Sequence, residues 1–140
     1  MTDEHDHALP LSPDVLADPR GLPVDMAMLA RLIGAAFEGC ASCQDPLMTL
    51  LVPDAPSVAR LVELACVATY SLFGFLPANM TDPDVPGRSG PAFRKLAAAG
   101  ADGENAALFE LCEQMDPRAR REATNDALEI LVGHLVTATS

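Results

Sequence analysis

With 20 acidic against 9 basic side chains, a 140-residue chain carries a formal charge of −11. It repels phosphate backbones and anionic lipid surfaces, so neither nucleic acid nor membrane is an expected partner. Its length suits one domain with a core that needs no staples, and a 49% apolar content with only 4% aromatic residues and no tryptophan favours helix over sheet.

Residues 1–22 hold Pro10, Pro13 and Pro19 among acids and show no apolar period. They predict a flexible acidic arm lying on the surface, followed by a single helical domain over 23–140. The first residues lack the basic and apolar regions of a secretory leader. The longest uncharged run, 64–81, is interrupted by Gly74 and Pro77, so no membrane-spanning helix is expected. A cytoplasmic protein with reduced cysteines is the corresponding expectation. Lys95 is the only lysine among the nine cations, a codon bias that points to a GC-rich bacterial source.

The first helix is expected over 25–39. Asp25 suits its N-cap, Leu29, Leu32, Ile33, Ala36, Phe37 and Cys40 share a face, and Gly39 can end it. A short helix is predicted over 46–52, because Asp45-Pro46 fits a cap followed by proline at the first helical position, and Pro53 stops it. The third helix, over 56–76, carries Val58, Leu61, Val62, Ala65, Cys66, Thr69, Leu72 and Phe73 in one stripe. Leu64, Val67, Ala68 and Phe75 make its other sides apolar as well. Such a helix must be covered by neighbours or by a second subunit.

The stretch 77–90 contains Pro77, Pro83, Pro86, Gly87 and Gly90 and predicts a long Pro/Gly-rich loop of the kind that serves as a lid or stays flexible. Helices follow over 91–99, with Phe93, Leu96 and Ala97 inward, and over 103–115, with Leu108, Leu111, Cys112 and Met115 inward. Asp116-Pro117 starts the last helix, which reaches to residue 136 and turns Ala123, Ala127, Leu128, Leu131 and Leu135 to the core. The fold class is therefore all-α, a bundle of about six helices.

The chemistry concentrates at Cys40-Ala41-Ser42-Cys43, where the first helix stops and the second is expected to start. A helix N-terminus favours negative charge, and the thiolate is the reactive form of cysteine. Cys40 and Cys43 are thus the candidate catalytic pair of a thiol oxidoreductase or redox sensor, with Glu38 and Asp45 the nearest titratable groups in sequence; filling space at the junction is the competing role. The stretch Gly39-Cys40-Ala41-Ser42-Cys43 is similar to the Gly-Cys-x-x-Cys segment that joins helices in the all-α alkylhydroperoxidase D-like and carboxymuconolactone decarboxylase-like superfamily. The resemblance implies a helical domain and a redox role for Cys40 and Cys43. It extends to no other residue, since Leu47 stands where the redox members have a histidine and Met28 where they have a glutamate.

Cys66 and Cys112 lie within apolar stripes, where a reduced cysteine behaves as a small hydrophobe. The spacing of the four cysteines suits no zinc site, and no metal or cofactor is expected. His5 and His7 belong to the acidic arm, and His134 reads as a boundary residue near the inner face of the last helix. Arg118, Arg120 and Arg121 form the only basic cluster and sit in a first helical turn, the unfavourable end for cations. Compensation by acids such as Glu113 or by a partner makes them candidate interaction residues. No phosphate loop, catalytic carboxylate pair or Ser-His-Asp order is present, and enzymatic activity stays an open question. Two functions fit: a regulatory or protein–protein interaction module, acting on a partner or by self-association as a homodimer, and a CxxC redox protein.

Overall fold

Asp25 begins the first helix as its type and position predict. In the computed structural model, which describes residues 12–101 and 105–139, its carboxylate accepts the Met28 N–H at 3.0 Å and α1 runs over Met26–Phe37. Gly39 follows at φ +73°, in the left-handed region that favours glycine. There the Gly39 and Cys40 N–H groups bond the carbonyls of Ala36 and Ala35 and close the helix.

The second helix departs from expectation. α2 spans Ala41–Leu51 with Cys40 as its N-cap and Pro46 inside it. Asp45-Pro46 has the form of a start signal, but the turn at Gly39 already aims the chain into a new helix. The Gln44 N–H closes on the Cys40 carbonyl at 3.0 Å, and Pro46 only deprives the Ser42 carbonyl of its usual donor. α3 spans Ala55–Phe73, capped by Asp54, and ends at Gly74 with φ +80°, short of the predicted 76. α4 (Ala78–Thr81), α5 (Pro91–Ala101), α6 (Asn105–Gln114) and α7 (Pro117–Thr139) complete the order. Asp116 starts α7 by accepting the Ala119 N–H at 2.8 Å. The predicted beginning of the fifth helix, at 103, lies outside the described residues.

Every regular element among the described residues is helical. α3 is the axis: α7 is its principal neighbour, α5 and α6 flank it, and α1 packs on α2 and α7. Leu29, Leu32 and Ile33 of α1, Val58, Leu61 and Val62 of α3, Phe93 and Leu96 of α5, Leu108 of α6 and Leu128 of α7 are all fully buried or nearly so. Each is worth about 1.5–3 kcal/mol of burial, and each lies in a stripe that the spacing had placed inward.

The described part of the predicted arm, residues 12–22, is tied to this core; residues 1–11 lie outside the described residues. A 3₁₀ turn over Pro13–Leu16 drives Leu16 to full burial, a single anchor that no periodicity could reveal. Asp18 accepts the Leu22 N–H at 3.0 Å and the Arg20 side chain at 2.6 Å, and Arg20 reaches on to Glu63 of α3 at 2.9 Å. Burial opposes ionisation of Asp18, but Arg20 and the Leu22 N–H outweigh it and hold the carboxyl below its ordinary 3.8. A carboxyl depressed on folding contributes stability that is complete above its unfolded value and is lost as pH falls through the folded one. Urea midpoints measured downward from pH 7 should therefore fall more steeply below pH 3.8 in the wild type than in Asp18→Asn, and parallel curves would contradict this.

The connection over 77–90 is also more ordered than a flexible lid. α4 interrupts it, Met80 is buried, and the buried Arg94 of α5 donates to the carbonyls of Asp82 and Ser89 at 2.6 and 2.9 Å and to that of Val85.

Candidate functional site

Because α2 starts at Ala41, Cys40 occupies its N-cap and Cys43 its first turn. The two Sγ atoms are 3.0 Å apart, and Ser42 Oγ lies 3.5 Å from Cys40 Sγ. Both are reduced and half-buried. The Cys43 thiol is pushed up, first by its hydrogen bond with Cys40 and then by burial, while Ser42 and Arg31 pull it down. The pair therefore resists carrying two negative charges at once. Of the two acids nearest in sequence, Asp45 is directed to Arg121. Cys66 and Cys112 differ in kind: burial, with Glu63 adding to it, raises Cys66 to about 12, and burial raises Cys112 to about 11. These two are packing residues, as their stripes predicted. Among the described residues no group of three or more His, Cys, Asp or Glu side chains is arranged to hold a metal ion.

The three candidate arginines have separate surroundings. Arg120 donates to the carbonyls of Cys112 at 2.8 Å and Glu113 at 2.7 Å, at the C-terminus of α6, and to those of Val52 and Pro53. The cost of a cation at the start of α7 is thus offset by the carbonyls of a neighbouring helix end, not by the Glu113 carboxylate. Arg121 pairs with Asp45 and donates to Thr49 Oγ1 at 3.0 Å, which bridges α7 to α2. Arg118 is exposed beside Arg121 on the cleft between α2 and α7.

A third region is the end of the all-round apolar third helix that its neighbours leave uncovered. The face of α3 that carries Leu61 and Ala65, both fully buried, leads two to three turns later to Leu72, which is 51% exposed. Val67, Tyr70 and Phe73 on its last two turns and Phe75 just beyond are 56–61% exposed, and Val136 of α7 is 46% exposed. Two clefts flank this end. One, of about 530 Å³, is lined by Cys66, Val67, Tyr70, Ser71 and Leu76 among others. The other, of about 340 Å³, lies between α3 and α7 against Phe73, Pro77, Arg88, Asp126 and His134.

In the second cleft Thr69 Oγ1 donates to the Ala65 carbonyl and lies 2.9 Å from His134 Nε2. With its one hydrogen so used, Thr69 can only accept, so Nε2 carries the proton of a neutral imidazole. Burial lowers the His134 pKa, which agrees with that form, and the Phe73 ring meets the imidazole edge-on with centroids 5.9 Å apart. Asp126 accepts the Gly90 N–H at 2.8 Å. Its carboxyl is nonetheless raised, by burial first and by Glu129 and Glu122 after it. Thr69, Phe73 and His134 thus meet across the α3–α7 seam, while Asp126 ties α7 to the start of α5. Two sequence signals fall on this end: the all-round apolar character of the third helix, and the absence of any charged residue between 64 and 81 in an otherwise acidic chain.

No helix among the described residues is long and apolar enough to cross a membrane. Comparison with protein-family models, with curated proteins and with solved structures finds no match to this chain.

Proposed function

We propose that the protein is a small interaction module whose docking surface is the apolar C-terminal end of α3, and that its partner is a second copy of itself. One observation carries this reading: Val67, Tyr70, Leu72, Phe73 and Phe75 stand more than half exposed at the end of the helix that forms the axis of the core. Aromatic side chains bury roughly 150–250 Å² each. The exposed parts of these residues and Val136 therefore amount to on the order of 500 Å², near the top of what a monomer ordinarily leaves bare. Two such faces together approach the ~1,000 Å² at which specific interfaces begin.

Charge supports a self-partner. The surface as a whole is strongly acidic, yet from 64 to 81 there is no Asp, Glu, Lys, Arg or His, and α7 beyond Glu129 carries only His134. Two copies can meet here without placing carboxylates against each other. Shape supports it too, because exposed aromatic side chains flanked by two clefts offer both the knob and the hole that an isologous contact needs. This reading takes the protein to be cytoplasmic and bacterial, in line with its composition, and gives Arg118, Arg120 and Arg121 no part in the contact.

Sedimentation over a concentration series tests the proposal. The wild type should form dimers, with association tightening as salt screens the repulsion between two chains of charge −11. Replacing Tyr70 and Phe73 by glutamate should weaken association at least about 30-fold, as loss of buried aromatic anchors does. These side chains are exposed in the monomer, so helical content should be retained. A wild type that stays monomeric at the highest concentrations overturns the self-partner.

A further inference from the structure

The geometry at the start of α2 points to a second activity, independent of the docking surface: we propose that Cys40 and Cys43 are a reversible dithiol–disulfide couple that exchanges with small-molecule disulfides. Their sulfurs are 3.0 Å apart, and a disulfide bond of ~2.05 Å needs an approach of about 1 Å. Both cysteines belong to one turn of one helix, so closing the bond is a local movement within that turn. The N-cap backbone at Cys40 lies outside the helical region, at φ −88° and ψ 87°, and follows the left-handed Gly39. That junction can absorb the small rotation required. The residues between them, Ala41 and Ser42, are exposed, which leaves the sulfurs open to a small reagent.

Charge is arranged to match. The first-turn N–H groups of α2 favour an anion at this end. The hydrogen bond with Cys40 and burial push the Cys43 thiol up, against the smaller pull of Ser42 and Arg31, which suits Cys43 to be the sulfur held protonated as the incoming thiol. The exchange balances without any further reactant. A thiolate of the pair attacks one sulfur of the small disulfide, the new S–S bond forms as the old one breaks, and the departing thiolate takes the electron pair. The second thiol gives its proton to that thiolate and attacks the protein sulfur of the mixed disulfide. A second small thiolate then leaves and takes up a proton from water. Two protein thiols are oxidised to one disulfide, and one small disulfide is reduced to two thiols.

The remaining cysteines supply an internal control. With Cys66 raised to about 12 against an ordinary 9.0, its thiolate is scarcer by on the order of a thousand-fold near neutral pH. Cys112 is fully buried.

The test is to equilibrate the full-length reduced protein with a graded series of reduced and oxidised glutathione. Samples are then quenched in acid, alkylated, and their cysteines mapped by mass. The expected product has lost two thiols, carries a Cys40–Cys43 bridge, has Cys66 and Cys112 intact, and returns to four thiols with dithiothreitol. Cys43→Ser should instead accumulate one glutathione on Cys40, because the resolving sulfur is gone. The Tyr70 and Phe73 glutamate variant should show an unchanged couple, which separates failure here from failure of the docking reading. A bridge that forms only in urea, or glutathione that persists on Cys40 or Cys43 of the wild type, overturns the proposal.

Discussion

Glu63→Ala is expected to destabilise the protein by about 3 kcal/mol, near the lower end of the range for breaking a buried ion pair by removing one partner. Glu63 sits on α3 with its side chain 6% exposed, and accepts from Arg20 at 2.9 Å and from Arg60 at 3.1 Å. One buried acid thus serves two cations. Without it Arg60, 13% exposed, keeps among the described residues only its bond to the Val15 carbonyl at 2.8 Å, and its buried Nε has no partner among them to begin with. Arg20 is a third exposed and retains Asp18, so solvent screens part of its loss. That is why the lower end of the range applies. The urea midpoint should fall with the slope unchanged, and Glu63→Gln, which keeps an acceptor, should lose less than the alanine variant. A loss below about 1 kcal/mol would mean that both arginines find solvent at no cost, contrary to their placement.

The second large effect belongs to Arg94. Its side chain is 4% exposed in the core-facing row of α5, and its guanidinium gathers the carbonyls of Asp82, Val85 and Ser89. Bonds of this kind to a charged donor are worth about 1.5–3 kcal/mol each, partly regained when the freed carbonyls meet water. Arg94→Ala should therefore cost about 3 kcal/mol overall. It should also expose the segment between α4 and α5 to protease far more than the global change predicts. Arg94→Lys should rescue little, because one ammonium cannot reach three carbonyls with the geometry of a planar fork. Gly87 belongs to the same device. A Cβ there would come within 2.8 Å of Arg94 Nη2 and 2.7 Å of Asn79 Cβ, so Gly87→Ala should loosen the same segment. Cleavage between residues 82 and 90 at the wild-type rate in Arg94→Ala would show that the guanidinium does not hold the loop.

Much of this architecture was legible one residue at a time. Asp25 and Asp116 each satisfy a helix N–H where the sequence placed a helix start, because a cap works over three residues and depends on little else. The inward stripes of α1, α5 and α7 were legible for a similar reason, since a period of 3.6 residues selects a face before anything packs on it. The pairing of Cys40 with Cys43 was legible as a spacing. Its placement within a single helical turn was not, since local preference assigned Pro46 to a helix start, whereas the direction of the chain after Gly39 puts it inside α2.

Other features depend on what each helix is packed against. The apolar stripe of α3 reads the same at Leu61 as at Leu72, yet one is sealed and the other half bare, because the cover comes from other segments of the chain. Arg94 likewise looks like an ordinary helical cation, and Arg120 like a contact for a partner, until distant carbonyls converge on them. Local chemistry extends over one turn and so can be read along the chain. Exposure, burial of charge and the surface left for a partner arise from segments far apart in the chain, and take their values only once those segments are packed.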